Sequence, residues 1–218
     1  HPLINKNRVD PKKVSSSELP WKDTKKLPYT LTGPYLTELF DRAFVDSLHE
    51  PAKRPTADEW EHALIKSIDL IQPCVNKGCK QKWFIFDNTN SPKCPFCGTP
   101  YKGALPIINF YSERTKGKFI SDNHRLMVYS NQSLFPWHTN RLIHPNERLK
   151  ESDKHRQGYF VFHNNQWYLV NQSIEELMDV KSKQCFPIGS QIKITDGLQL
   201  LTGKNNGDRL LHIQMIEG

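Results

Sequence analysis

The stretch PCVNKGCKQKWFIFDNTNSPKCPFCG, residues 73–98, divides the chain and decides how the rest is read. Cys74 and Cys79 have four residues between them, Cys94 and Cys97 have two, and fourteen separate the pairs. A tetrahedral zinc takes four ligands at about 2.3 Å, and each C-x2–4-C knuckle offers two thiolates from one turn. Gly78 favours a tight turn in the first knuckle, and Pro95 and Gly98 do so in the second. Trp83 to Phe86 has strand composition and leads from one knuckle towards the other. The spacing predicts one structural Zn2+ on Cys74, Cys79, Cys94 and Cys97, in a ribbon spanning 73–103. Four thiolates leave no position for water, so such a site is closed and not catalytic. The segment is too short to bury a core of its own, and the metal would supply much of its folding energy. Two disulfides, or four free thiols, are the competing chemistries. Cys185 has no partner and reads as a small buried hydrophobe.

Upstream of the ribbon the text is helical. Residues 1–28 are broken by Pro2, Pro11 and Pro20 and read as a long loop, and Gly33-Pro34 marks a turn. Tyr35, Leu36, Leu39, Phe40, Ala43 and Phe44 then recur at helical spacing and stop before His49-Glu50-Pro51. A second helix has an explicit start. Thr56 is placed to accept from the Glu59 N–H while the Glu59 carboxylate reaches back to the Thr56 N–H, a capping box. Trp60, Ala63, Leu64, Ile68 and Ile71 follow on one face, which predicts a helix to about Gln72, ended by Pro73.

Downstream the texture becomes that of short strands. Residues 107–110, 125–129, 158–162, 167–170, 191–194, 199–201 and 210–216 carry strand composition. Asn164-Asn165, Asp196-Gly197 and Asn206-Gly207 are turn signals between them. Residues 143–157 are polar and read as an exposed loop. The expected architecture is α+β and multidomain: a helical segment over 1–72, the ribbon over 73–103, and an antiparallel β-sandwich over 104–218.

The 218 residues carry a formal charge of +7, with net 0 over 1–72, +4 over 73–103 and +3 over 104–218. A mild, scattered excess does not make the clustered basic face that nucleic acid requires, although a ribbon that binds nucleic acid stays open as a third reading. The sequence contains no secretory h-region and no apolar run near the ~20 residues of a membrane helix, so a reducing cytoplasm is the expected setting. His138, His144 and His163 have no carboxylate or cysteine at ligand spacing and read as surface or sheet-edge histidines.

Two segments bear family resemblances. Leu39-Phe40-Asp41-Arg42-Ala43-Phe44 and Arg54-Pro55-Thr56-Ala57-Asp58-Glu59-Trp60-Glu61-His62-Ala63-Leu64 resemble the end of the C-terminal lobe of a protein kinase, and His1-Pro2-Leu3 looks like text of a bacterial subgroup. In that family the arginine of the Arg-Pro-(Ser/Thr)-Ala motif forms a buried pair with the glutamate that ends the activation segment. The resemblance gives that role to Arg54, with Thr56, Glu59 and Trp60 structural. The glycine-rich loop, third-strand lysine, catalytic-loop and DFG motifs are missing from the 218 residues, and Asp87-Asn88 and Asp122-Asn123 lack their context. The expectation is therefore a non-enzymatic region of a longer bacterial Ser/Thr kinase.

Residues 158–216 resemble the second half of a forkhead-associated (FHA) domain, through Gly158-Tyr159-Phe160-Val161-Phe162, Gln166-Trp167-Tyr168-Leu169-Val170-Asn171 and Phe186-Pro187-Ile188-Gly189-Ser190-Gln191-Ile192. FHA domains read phosphothreonine, but the Gly-Arg loop is absent, and Ser121-Asp122-Asn123-His124 has the Ser-x-x-His spacing in the wrong place. Arg141 and Asn171 are the candidate phosphate or partner contacts. A guanidinium binds phosphate bidentately, and the bland reading of Arg141 is a solvated loop residue. Kinases that look like this stand beside a von Willebrand factor A-domain protein and a PP2C-type phosphatase in tellurite-resistance stress systems. The resemblance implies docking of the A-domain protein, with the phosphatase as a further partner and phosphothreonine reading as the alternative function.

Overall fold

The computed structural model describes residues 29–86 and 92–217. The loop expected over 1–28, His1-Pro2-Leu3 and Asp87-Asn88 lie outside the described residues. The chain divides into two compact units, His1–Ile68 and Asp69–Gly218.

In the first unit, a helix Pro34–Asp41 continues into a π turn, Arg42–Asp46, and a second helix spans Ala57–Ile68. Gly33 enters at φ 87°, a conformation open to glycine, and Pro34 starts the first turn where no N–H is needed. Thr56 N–H donates to Glu59 Oε2 at 2.8 Å and Glu59 N–H donates to Thr56 Oγ1 at 3.3 Å, a reciprocal cap that is typically worth about 1 kcal/mol. Phe40 meets Trp60 edge-on at 5.1 Å, and Arg42 forms an ion pair with Glu59. Leu39, Ala43 and Ala63 are buried.

The second helix ends at Ile68, four residues before the expected end. Residues 69–73 behave differently because they have been taken into the second unit. Leu70 is fully buried, Asp69 C=O accepts from Met127 N–H at 2.7 Å, and Ile71–Pro73 is a strand, β1. β1 pairs antiparallel with β2, Trp83–Ile85. The apolar Leu70 and Ile71 satisfy the helical period and the strand equally well, and only the pairing partner decides between them.

The remaining strands form two antiparallel sheets. One has the order β4-β3-β11-β10-β8, from Lys118–Met127, Ala104–Thr115, Arg209–Glu217, Gln199–Leu201 and Met178–Asp179. The other has the order β5-β6-β7-β9, from Ser133–Leu134, Gly158–His163, Gln166–Asn171 and Gln191–Lys193. Ile108, Phe110, Leu126, Leu200, Leu211 and Ile213 of the first sheet share one buried core with Leu134, Phe160, Trp167, Leu169 and Ile192 of the second. Two sheets closing on one core make a β-sandwich, the coarse architecture that the FHA resemblance implied. The Trp167 indole N–H crosses the layers to the Ala104 carbonyl at 2.8 Å, which satisfies its one polar atom. Asn164 and Asn165 both take positive φ, 48° and 59°, in the two-residue turn between β6 and β7. Asparagine tolerates that conformation, and a two-residue hairpin with the right twist needs it.

Among the described residues no helix is long and apolar enough to cross a membrane.

Candidate metal centre

The two knuckles meet. Cys74 Sγ lies 3.6 Å from Cys97 Sγ and Cys79 Sγ lies 3.9 Å from Cys94 Sγ, and all four sulfurs fall within 4.8 Å of one another. A tetrahedron of sulfurs 2.3 Å from a metal has edges of about 3.8 Å, whereas a disulfide holds its sulfurs at about 2.05 Å. The four residues fit a metal such as zinc, and none of them is in a disulfide.

Local hydrogen bonds make the knuckles. In the first, Cys79 N–H donates to Asn76 C=O at 3.0 Å and Gly78 N–H donates to Asn76 Oδ1 at 2.9 Å. In the second, Cys94 N–H donates to Thr99 C=O and Gly98 N–H to Cys94 C=O, each at 2.9 Å. Gly98 has φ 71°, so it is the glycine that the turn requires; the knuckle at Gly78 closes without a left-handed residue. Cys74 N–H donates to Lys82 C=O at 2.6 Å and closes the base of the first loop.

The sulfurs are electrostatically uneven. Thr99, through its hydroxyl and its N–H, holds the Cys97 thiol down at about 6. Loss of solvent, followed by the neighbouring sulfurs of Cys97, Cys94 and Cys79, pushes the Cys74 thiol up to about 12. A bound metal cation would offset the mutual repulsion of four thiolates held this close together.

The ribbon is sewn to the sandwich inside the second unit. Phe86 N–H donates to Leu70 C=O at 2.8 Å, the buried Gln72 amide donates to Val128 C=O at 3.0 Å, and Trp83 meets Tyr129 edge-on at 5.3 Å.

A second cluster was not foreseen. His138 is not a surface histidine: it is 1% exposed, on a one-turn helix Pro136–Thr139. Its carboxylate companion is Asp69, 69 residues away, with Nε2 lying 3.1 Å from Oδ2. Phe135 N–H donates to His138 Nδ1 at 3.0 Å, so Nδ1 carries no proton and Nε2–H donates to Asp69. His124 Nε2, from β4, lies 2.6 Å from the same Asp69 oxygen. Burial opposes the Asp69 charge, but the hydrogen bonds from both histidines outweigh it and hold the carboxyl well below its ordinary range. Burial pushes His124 down, against the pull of Asp69. Beside them Arg209 packs over the Phe110 ring at 5.2 Å and donates to Trp137 C=O at 2.8 Å. Arg209 Nε is also 3.0 Å from Asp122 Oδ2; its N–H is not aimed at that oxygen, so the link is charge attraction. Ser112 Oγ donates to Asp122 at 2.6 Å and Arg114 reaches it from the surface at 3.0 Å. Both buried carboxylates thus face donors or cations, the condition for burying charge.

The remaining candidates have plain positions. Asn171 is fully buried; its amide donates to Ile174 C=O and Phe186 C=O and accepts from Ile174 N–H, at 2.8–2.9 Å. It ties the loop after β7 and offers no exposed atom to phosphate, which corrects the contact role expected of it. Arg141 is half-buried, its N–H donates to Gly207 C=O at 2.8 Å, and its Nε is buried without a hydrogen bond. Gly207 is at φ 94°, and a Cβ there would stand 2.5 Å from Asn140 Oδ1, so the loop pair 140–142 and 203–208 is closely fitted. Arg54 is exposed and donates to the Ser47 and Leu48 carbonyls at 3.2 and 2.7 Å, closing the preceding turn. Cys185 is exposed, not buried, beside the isolated bridge to Met178. His144 and His163 are exposed.

No protein-family model matches this chain. No curated protein matches it. Among solved structures, it is similar to one described as the structure of the yeast Pml1 splicing factor and its integration into the RES complex. That likeness covers 54% of this chain and 83% of the other, at 12% identity and a TM-score of 0.34. The architecture given above rests on this chain's own strand pairing and core.

Proposed function

We propose that this chain is a non-catalytic docking region of a bacterial Ser/Thr kinase, built as a zinc ribbon fixed to an FHA-like sandwich, and that it binds a von Willebrand factor A-domain protein. The observation that carries the interaction reading is the convergence of Cys74, Cys79, Cys94 and Cys97 on one point. A closed four-cysteine site supplies structure and no chemistry, and a ribbon sewn to a sandwich presents surface rather than an open reaction centre. The Arg-Pro-Thr-Ala text and the packed pair of helices in 34–68 support the kinase assignment. The PP2C-type phosphatase of the same systems is a further partner in this reading.

The test is capture of a purified A-domain protein of such a system by the zinc-loaded full chain. Retention is expected, and loss of retention after chelation would tie it to the ribbon. No retention of either the phosphorylated or the unphosphorylated A-domain protein would sink the proposal.

The alternative, phosphothreonine reading, draws support from the buried Arg141 Nε alone. Calorimetry with paired phosphorylated and unphosphorylated peptides decides it, because equal affinity for both rejects a phosphate reader.

A further inference from the structure

The first knuckle carries more than ligands. The loop CVNKGCKQKW, residues 74–83, contains three lysines and no acidic residue. It is closed at its base by the Cys74 N–H to Lys82 C=O bond, so Val75, Lys77, Lys80, Lys82 and Trp83 are confined to one small module. All three lysines are exposed. Val75 is 52% exposed and Trp83 is 48% exposed, although both are large and apolar. Trp83 is not loose: it pairs with Pro73 across the β1–β2 ladder and leans on the Tyr129 ring, so half of the indole is held out towards solvent. A fixed, half-exposed tryptophan in a loop with three exposed lysines is the composition of an interface anchor.

Two features argue against a merely solvated face. The first is charge. Residues 73–103 carry five lysines and one aspartate, net +4, and the −2 of a zinc tetrathiolate leaves +2, so the lysines exceed what the metal site needs. The second is conformation. Lys82 sits at φ 56°, a left-handed position that glycine or asparagine occupies at less cost. A lysine there accepts a backbone conformation that glycine adopts more easily, and it directly precedes Trp83 in the chain.

We infer that this loop is a docking surface for an acidic peptide segment with interspersed aliphatic residues, the lysines meeting carboxylates and Trp83 with Val75 meeting the aliphatic side chains. The ribbon has lysines but no arginine, hence no bidentate phosphate fork, and this favours carboxylates over a nucleic-acid backbone. The inference rests on the ribbon reading and adds the chemistry of the partner segment.

The experiment uses the full zinc-loaded chain and a dye-labelled peptide of Glu-Glu-Leu repeats, titrated to millimolar concentration. A Glu-Glu-Ser peptide and a single-stranded oligothymidylate of equal charge are the comparisons, with zinc content measured on every sample. The expected result is preference for Glu-Glu-Leu, with binding about tenfold weaker for Trp83→Ala. Lys82→Gly is the decisive variant. It relieves the left-handed strain, so it keeps or raises the melting temperature while weakening the peptide by several-fold. Unchanged peptide binding in both variants, or tighter binding of the oligothymidylate, overturns the docking surface. A chain that holds zinc and ignores the peptide also overturns it and leaves the ribbon standing. A chain that holds no zinc overturns the ribbon itself.

Discussion

The second unit holds two clusters of titratable side chains, and they are built in opposite ways. The cysteine cluster draws its four residues from 24 consecutive positions, in two turns that each place two sulfurs. The aspartate–histidine cluster draws Asp69, His124 and His138 from a segment entering the unit, a sheet strand and a one-turn helix. The first needs only local turns and a metal to form. The second exists only after the sheets have closed, because the positions of its partners are set by strand pairing and core packing. A locally built site takes its energy from what it binds, whereas an assembled site takes it from the fold around it.

Three perturbations would break or sharpen this contrast. Removing the metal is expected to have the largest effect. Chelation, or Cys94→Ser, should abolish zinc retention and lower the melting temperature by about 10 °C or more, since structural zinc in small modules contributes most of their folding energy. An unchanged melting curve with verified zinc loss would show that the ribbon is held by its contacts to the sandwich alone.

Asp69→Ala should come next. It removes the common acceptor of two buried histidines and leaves their donors unsatisfied, at about 3–5 kcal/mol in urea unfolding. Zinc content should remain unchanged, since the sulfurs do not depend on Asp69. Loss of zinc in this variant would mean that the two clusters are one cooperative unit.

The smallest effect is in the pH dependence. His124 takes up a proton less readily in the folded chain than in the unfolded one. The unfolded state therefore binds more protons as the pH falls below about 6.5, and stability declines from there by at most about 1.4 kcal/mol per pH unit for one proton. Asp69 has the opposite partner chemistry and the same sign of effect. Its depressed folded value means that its contribution is complete above about pH 4 and is lost below that. The charged groups flanking the cluster are Arg209, Asp122 and Arg114, and His138 shares the Asp69 oxygen with His124. His124→Gln should flatten the slope between about pH 4 and 6.5 and leave the acid limb from Asp69. An unaltered slope would assign the proton to another group.

The same division runs through the fold. The strands around Phe160, Trp167 and Leu211 were legible because their inward residues are apolar and alternate. Asn164-Asn165 was legible because few residues accept two positive φ values in succession. The hairpin of β3 and β4 was read only in part. Ser112, Asp122 and His124 face inward there, and a strand whose buried side is an ion-pair network has no apolar alternation to recognise. β5 and β8, at two residues each, are defined by their neighbours and carry too few side chains to signal themselves. Asn171 is a contact candidate only through the FHA resemblance, where it falls roughly at the family's asparagine; its burial follows from the loop that it ties together.

The sequence by itself determined which four cysteines come together, the helix start at Thr56, most of the strands and the turns between them. Each depends on residues within a few positions of one another, so spacing and residue type are enough. The tertiary structure alone decided that residues 69–73 leave the helix for a strand, that Asn171 is an internal tie, and that Asp69 finds His124 and His138. Those outcomes depend on which distant groups arrive at the same place, and a buried charge is stable only where its donors have been brought to it.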